Sequence, residues 1–339
     1  MTKFYRRPGA LFALLMLGLA LSPGGARADG PPKLELPLHC TPGQDCWVVN
    51  YVDLDATEGV RDYTCNKATY DGHKGTDFAI IDAAHMRDGV QVYAAAAGIV
   101  RGARNDMEDI NFKQNGGPAS IAAKECGNGA LIDHGDGWST QYCHMLKGSV
   151  VVRPGDKVSS GRQLGLVGLS GLTEFPHVHM QVRYNGDIVD PFTGLGRTKD
   201  CGVGDNPLWN ESALAALTYQ PSAIYNAGFS STTPNPRFAR EGLYAEEFLL
   251  DTSPVIALWA DIFWVNAGDK MTFLITGPDG RALVGHTSVL KKNQARRFVF
   301  AGSRRKDKPW PKGTYTGEIR LTRSDTDEEF SVLKFIDVN

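Results

Sequence analysis

Two short histidine-containing segments, far apart in the sequence, constrain the fold of this chain more than any other feature. The first contains His73 and Asp77, and the second contains His177 and His179. Glycines flank His73, and residues 76–80 alternate small or polar with large apolar side chains, which predicts a turn leading into a strand. Positions 73 and 77 share strand parity, so we expect both side chains on one face of a sheet.

The second segment follows Pro176 and also has the periodicity of a strand. His177, His179 and Gln181 alternate with valine and methionine, so both imidazoles are expected on one face. Either segment alone is more often structural than functional. Together they offer three metal ligands and leave a coordination position for water. The sequence therefore predicts two strands that converge on a hydrolytic metal site.

A third segment predicts a β-hairpin. Two alternating runs, residues 127–133 and 139–145, are separated by the turn-forming sequence His134-Gly135-Asp136-Gly137. His144 is expected at the end of the second strand. A fifth side chain suited to catalysis thereby joins the four of the other two segments.

These three motifs resemble those of the LytM/lysostaphin-type zinc metallopeptidases, which cut peptide cross-bridges in bacterial cell walls. The H-x-x-x-D motif of that family matches residues 73–77, its tyrosine-x-histidine motif matches residues 142–144, and its H-x-H motif matches residues 177–179. The turn and strand sequence of residues 152–171 is also similar. The resemblance covers about residues 70–193, and no motif position departs from the pattern.

The resemblance implies that His73, Asp77 and His179 bind zinc. Two neutral imidazoles and one carboxylate would leave a net positive metal centre, which acidifies a bound water and polarises a substrate carbonyl. His144 and His177 then remain for proton transfer and for stabilising the tetrahedral oxyanion. Histidine suits this work because its unperturbed pKa of about 6.5 is close to working pH. Which of the two is the general base stays open.

The function that the resemblance implies is a zinc-dependent endopeptidase that hydrolyses peptide bonds of bacterial cell-wall peptidoglycan. The alternative is a non-catalytic LytM-type regulator that binds and activates another cell-wall hydrolase. Regulators of that kind typically lack one or more ligands, whereas all five motif residues are present here, which favours the enzyme. The bond that is cut, and whether the enzyme is latent, stay open.

The first 28 residues have the pattern of a secretory signal peptide. A basic start is followed by an apolar run at residues 11–20 and by Ala26-Arg27-Ala28, with cleavage expected before Asp29. We therefore expect an exported protein, periplasmic or secreted, with no stable membrane anchor after cleavage. The 36 Lys and Arg nearly balance the 38 Asp and Glu, so the charge gives no reason to expect nucleic-acid binding.

The six cysteines favour disulfides over free thiols in an exported chain. Six cysteines allow fifteen pairings, so the connectivity is an inference. The pairs that we expect are Cys40 with Cys46 across a short loop, Cys126 with Cys143 across the hairpin, and Cys65 with Cys201. A bridge at Cys143 would restrict the strand that carries His144.

Strand alternation and the resemblance together predict a mainly β protein, with a LytM-like antiparallel β-sheet catalytic domain followed by a small immunoglobulin-like β-sandwich. The role of the C-terminal domain is open between binding a cell-wall or protein partner and passive stabilisation. The predicted parts are a signal peptide (1–28), an N-terminal extension (29–72), a LytM-like zinc peptidase domain (73–196), a linker with one short helix near residues 211–217 (197–237), and the β-sandwich (238–339).

Overall fold

The structure is a computed structural model that describes residues 1–2, 30–196 and 200–339. Nearly all of the predicted signal peptide lies outside the described residues. Among those that are described, no helix has the length and apolarity needed to cross a membrane.

The described chain is mainly β, as predicted. Two short 3-10 helices, Phe112–Gln114 and Pro118–Ile121, and three short α-helices accompany the strands, the latter being α1 (Ala83–Asp88), α2 (Glu211–Ala216) and α3 (Pro236–Arg240). The strands are β1 (Cys46–Asn50), β2 (Thr76–Ile80), β3 (Gln91–Tyr93), β4 (Gly98–Arg104), β5 (Asn128–Gly135), β6 (Trp138–Met145), β7 (Lys157–Val158), β8 (Gln163–Leu166), β9 (His177–Tyr184), β10 (Asp187–Ile188), β11 (Ala223–Ser230), β12 (Phe248–Leu249), β13 (Val255–Val265), β14 (Lys270–Thr276), β15 (Ala282–Val289), β16 (Gln294–Arg304), β17 (Gly313–Thr322) and β18 (Glu329–Val338).

The first unit is built on one large sheet with the strand order β1-β2-β9-β6-β5-β4-β7, to which β10 adds by pairing with β9. The predicted hairpin is present as β5 and β6. Because side chains alternate across a strand, one face of the sheet is apolar and the other is free to carry polar groups. Phe78, Tyr142, Val178 and Met180 line the apolar face, and each is at most 1% exposed.

The segment that precedes the first motif is part of this unit. Strand β1 pairs antiparallel with β2 and forms an edge of the sheet. Leu34 is fully buried and bridges to Trp209, far along the chain. The structure contains the three expected disulfides, Cys40–Cys46, Cys65–Cys201 and Cys126–Cys143. The N-terminal extension is thus integral to the sheet.

The second unit consists of two sheets that share a core. One has the order β11-β13-β16 and the other the order β12-β18-β17-β14-β15. Side chains from both sheets, such as Leu258, Phe273 and Ile319, are at most 1% exposed and belong to one cluster. The arrangement is a two-sheet sandwich, and its immunoglobulin-like character stays a prediction.

The predicted linker at 197–237 requires a correction. It contains α2 where a short helix was expected, but it also contains β11, which pairs with β13 in the second unit. The reason is the alternation of Ala223, Tyr225, Ala227 and Phe229, all buried, with less buried residues. Such a pattern is typical of a half-buried strand and outweighs the surrounding glycine and proline.

The two units meet in an apolar cluster at the β1–β2 edge of the large sheet. Its buried members are Trp47, Val49 and Ala79 from the first unit and Ala223, Tyr225 and Phe263 from the second. The indole N–H of Trp264 in the second unit donates to the backbone oxygen of Val49 in the first. The second unit therefore covers part of the sheet face that lies opposite the main core.

Candidate metal centre

Asp77 and His179 lie directly opposite each other on neighbouring strands. Asp77 of β2 pairs with His179 of β9, and His179 pairs in turn with Cys143 of β6. Paired residues share a face of the sheet, so these three project together on the face opposite the main core. Their position follows from the predicted strand periodicity.

His73 reaches the same point by a different route from the one expected. It precedes β2, which begins only at Thr76, because its own N–H donates to the oxygen of Tyr70 in a turn. The predicted turn leading into a strand is thus present, and the turn, rather than strand parity with Asp77, places His73. Its Nε2 nevertheless lies 3.2 Å from Asp77 Oδ1 and 3.1 Å from His179 Nδ1.

These three side chains form a set of metal donors. Asp77 Oδ1 also lies 2.8 Å from His179 Nδ1, and one donor atom from each residue lies within 4.8 Å of the others. Two imidazole nitrogens and one carboxylate oxygen form a donor set found in catalytic zinc sites. The residues therefore fit a divalent cation of the zinc type.

The charge of the cluster also fits a cation. Burial alone would raise the pKa of Asp77, but the neighbouring imidazoles, His73 first, hold it well below its ordinary value, so the carboxylate is ionised. Burial would lower the pKa of His73, but the charge and hydrogen bond of Asp77 outweigh it and raise this pKa. A buried carboxylate with imidazoles around it thus attracts positive charge to one point.

Gly75 lets His179 approach the first motif closely. A Cβ at this position would lie 2.6 Å from the Cε1 and Nε2 atoms of His179 and 2.7 Å from the oxygen of Met180. No side chain fits in that space. The glycine inside the first motif therefore has a steric reason, which is to admit the His179 ring from β9.

A β-bulge turns His144 toward this cluster. Simple alternation would place His144 on the core face with Tyr142. However, β6 uses one more residue than β5 between the pairs Ala130–Tyr142 and Asn128–Met145, and His144 has a φ of 63°. Bulges re-aim side chains in this way. The imidazole ring of His144 thus lies 4.7 Å from that of His177 and 6.0 Å from that of His179.

Both of these additional histidines are fixed through Nδ1. His144 Nδ1 lies 2.8 Å from the oxygen of Ser170, and His177 Nδ1 lies 3.0 Å from the oxygen of Phe175. Each Nδ1 therefore donates its hydrogen to a carbonyl, which leaves Nε2 as the acceptor in the neutral ring. His177 Nε2 lies 3.5 Å from Asp77 Oδ1.

Burial favours the neutral form of His144. Desolvation, followed by the neighbouring His177 and His179, lowers the pKa of its imidazole well below the ordinary value. Burial likewise lowers the pKa of His179. Neutral His144, whose Nδ1 donates to Ser170, presents a lone pair at Nε2, which is the state that accepts a proton.

A shallow cavity lies on the same sheet face, over β4, β5 and β6. It has a volume of about 290 Å³ and is lined by residues that include Arg104, Cys126, Leu131 and Gln141. Gln141 lies two residues before Cys143 on β6, and Cys143 is paired with His179. His73, Asp77, His144, His177 and His179 are not among the residues that line it.

Several residues at the site were not predicted from the sequence. Phe175 stacks on the His177 ring with centroids 4.7 Å apart, and Thr173 Oγ1 lies 3.1 Å from His177 Nδ1. Asn50 Nδ2 donates to Asp77 Oδ2 over 2.7 Å. No sequence motif identifies any of these residues. The one signal in the sequence was that Phe175 lies two residues before His177.

Residues 71–191 match the model of peptidase family M23. The resemblance to LytM-type metallopeptidases is thereby confirmed for this part of the chain. The sequence is 32% identical to the peptidoglycan DD-endopeptidase ShyA of Vibrio cholerae over 118 residues, which cover 35% of this chain and 22% of ShyA.

Two further relatives match over similar lengths. The cell division protein DipM of Caulobacter vibrioides is 34% identical over 99 residues, 26% of this chain and 16% of DipM. The DD-carboxypeptidase/endopeptidase Mpg of Neisseria meningitidis is 30% identical over 152 residues, 45% of this chain and 28% of Mpg. The matches thus span less than a third of the length of each relative. The activities for which ShyA and Mpg are named are those of the relatives themselves.

Proposed function

We propose that this chain, with its M23 domain, is an exported zinc-dependent endopeptidase that hydrolyses peptide bonds of bacterial cell-wall peptidoglycan. One observation carries the proposal: the donor atoms of His73, Asp77 and His179 converge on one point, and the rings of His144 and His177 lie beside it. A binding module would not need this complete set of ligands and proton acceptors.

The metal ligands in this proposal are His73 Nε2, Asp77 Oδ1 and His179 Nδ1. A zinc ion held by them would supply Lewis-acid chemistry, which lowers the pKa of water and polarises a carbonyl. The ionised Asp77 lowers the charge of the centre, and its near-complete burial, with a side chain only 3% exposed, strengthens its attraction for a cation.

His144 and His177 transfer protons in the proposed reaction. Because each Nδ1 donates to a carbonyl, each Nε2 is available to accept the proton of the attacking water. The imidazolium that forms then donates to the developing oxyanion or to the leaving nitrogen. The surroundings of the two rings differ, because His177 Nε2 lies 3.5 Å from Asp77 Oδ1 and burial lowers the pKa of His144, and the proposal assigns proton transfer to the pair.

The substrate class and the compartment have separate support. ShyA and Mpg are named for endopeptidase activity, and ShyA is named for peptidoglycan, which supports peptidoglycan peptides as the substrate. Three disulfides support export to the periplasm or beyond, because such bonds persist in oxidising compartments. A further cell-wall or protein partner of residues 238–339 stays a prediction.

Digestion of purified sacculi tests this function. The wild-type protein, a His179→Ala variant, a His286→Ala control in the second unit and a chelator-treated sample are compared, and released muropeptides are identified by mass spectrometry. We expect products only from the wild type and from His286→Ala. Equal product from His179→Ala would refute the zinc mechanism. A lack of product from every sample would favour the regulator.

A further inference from the structure

Two contacts to the metal ligands come from upstream of residues 71–191, the part that matches family M23. Asn50, the last residue of β1, donates from Nδ2 to Asp77 Oδ2 over 2.7 Å. The backbone oxygen of Tyr51 lies 2.6 Å from His73 Nδ1. The segment that was expected to be a separate extension thus contacts two of the three ligands.

We propose that Asn50 is a positioning residue of the metal site, which holds the Asp77 carboxylate so that Oδ1 faces the imidazoles. The proposal rests on the metal-binding role given above to His73, Asp77 and His179. It adds the end of β1 to a site that the family match alone would begin at residue 71.

The two carboxylate oxygens of Asp77 contact different groups. Oδ1 lies 2.8 Å from His179 Nδ1, 3.2 Å from His73 Nε2 and 3.5 Å from His177 Nε2. Oδ2 accepts the hydrogen bond from Asn50. The side chain of Asp77 is only 3% exposed, so without the amide a buried, charged oxygen would lose its donor. The carboxylate would then be free to rotate away from the ligand orientation.

A second β-bulge delivers Asn50 to this position. Val48 of β1 pairs with Phe78 of β2, and the next pair is Asn50 with Asp77, so Val49 is an extra residue in β1. Without the bulge, Val49 would oppose Asp77 and could offer no donor from its side chain. The bulge therefore places the amide of Asn50, instead of the valine side chain, beside Asp77. Bulges next to functional sites commonly re-aim a side chain in this way.

The bulge is held from both sides. The Cys40–Cys46 disulfide fixes the first residue of β1, and the indole N–H of Trp264 in the second unit donates to the oxygen of Val49. Outer contacts that orient metal ligands change metal affinity by about 10- to 100-fold when they are removed. A purely structural asparagine would change stability and leave metal affinity unaltered.

Zinc affinity distinguishes these roles without any measurement of activity. The full chain, with its disulfides intact, is freed of metal and titrated with zinc against a chromophoric chelator. The variants are Asn50→Ala and Asn50→Leu, the latter similar in size to asparagine but without a donor. The matched control is Asn226→Ala, which removes another amide–carboxylate contact, that of Asn226 with Asp82.

We expect both Asn50 variants to bind zinc about 10- to 100-fold more weakly than the wild type, and Asn226→Ala to bind it as the wild type does. Circular dichroism of the metal-free proteins identifies a variant that has not folded. The zinc affinity of the other Asn50 variant then tests the proposal. Wild-type affinity in a folded Asn50 variant would overturn the proposal. A wild-type chain that binds no zinc would overturn this proposal together with the proposed function.

Discussion

The guanidinium of Arg296 lies 5.3 Å from the centre of the Phe175 ring, although the two residues belong to different units of the chain. Phe175 in turn stacks on His177, and Phe263 of the second unit lies 5.6 Å from Phe175. Arg296 is itself fixed by the buried carboxylate of Asp261, at 3.2 Å. The second unit therefore supports the loop that holds a proposed catalytic histidine.

The first prediction concerns this support. Phe175→Ala should lower kcat by about tenfold, because a stacked aromatic pair contributes on the order of 1 kcal/mol. Zinc affinity should change little, since Phe175 does not contact Asp77 or His179 in the described contacts. Muropeptide release and zinc titration measure the two quantities. Phe335→Ala, at a side chain 64% exposed in the second unit, is the control, and an unchanged kcat in Phe175→Ala would contradict the expectation.

The second prediction separates ligands from proton acceptors. His144→Ala and His177→Ala should retain zinc and lose activity by about 10²- to 10⁴-fold, the usual contribution of general acid–base catalysis. His73→Ala should lose zinc itself. Zinc content after dialysis and endopeptidase rate are measured for all three. Should His177→Ala lose zinc to the same extent as His73→Ala, His177 would be a ligand and the division of roles would be wrong.

The third prediction uses the close approach at Gly75. Gly75→Ala should weaken zinc binding strongly, because the added methyl group would lie 2.6 Å from the His179 ring and displace it. Calorimetric titration with zinc measures the effect. Gly285→Ala is the control, since a Cβ there meets nothing within 4 Å. Equal zinc affinity in the two variants would show that His179 has room to move without cost.

The fourth prediction concerns the pH dependence of stability. Burial lowers the pKa of His134, whose nitrogens contact the oxygen of Ala97 and Thr140 Oγ1. In the unfolded state the pKa of His134 is about 6.5. Below that pH, the unfolded state therefore binds a proton at His134 more readily than the folded state does. This contribution makes the free energy of unfolding fall as the pH drops below about 6.5.

Replacing His134 isolates its contribution to the pH dependence of the free energy of unfolding. Metal-free wild type and His134→Gln are unfolded with urea between about pH 5 and pH 8, where the linear dependence on denaturant gives the free energy of unfolding. The variant should lose less stability than the wild type on acidification. Parallel curves for the two proteins would mean that His134 titrates alike in the folded and unfolded states.

The candidate site was predictable where strand periodicity alone places a residue. Asp77, His177 and His179 follow period-two alternation, and their residue types predicted a hydrolytic metal site. The hairpin pattern placed His144 at the end of β6, but only the family motif gave it a role at the site, because alternation assigns its side chain to the core face with Tyr142. A bulge depends on the register between two strands and on the packing around them, and neither is encoded in the periodicity of one strand.

The same limit explains the residues that the sequence did not reveal. Asn50 looks like the polar end of an ordinary strand, and its contact with Asp77 depends on the extra residue Val49. The strand β11 alternates clearly, but its neighbours are rich in glycine and proline, which suggested a linker. In each case a partner distant in the sequence decides the structure, and the local pattern alone is insufficient.

The hydrogen bond from Trp264 to Val49 has a practical consequence for protein engineering. A fragment cut after residue 220 would retain every motif residue and the Cys65–Cys201 disulfide, yet it would expose Trp47, Val49 and Ala79 to solvent and lose the hydrogen bond that holds the bulge. Such a fragment should aggregate more readily and bind metal less tightly than the intact chain. Grafting the first unit onto another carrier therefore requires that the apolar cluster between the units be moved together with the histidine motifs.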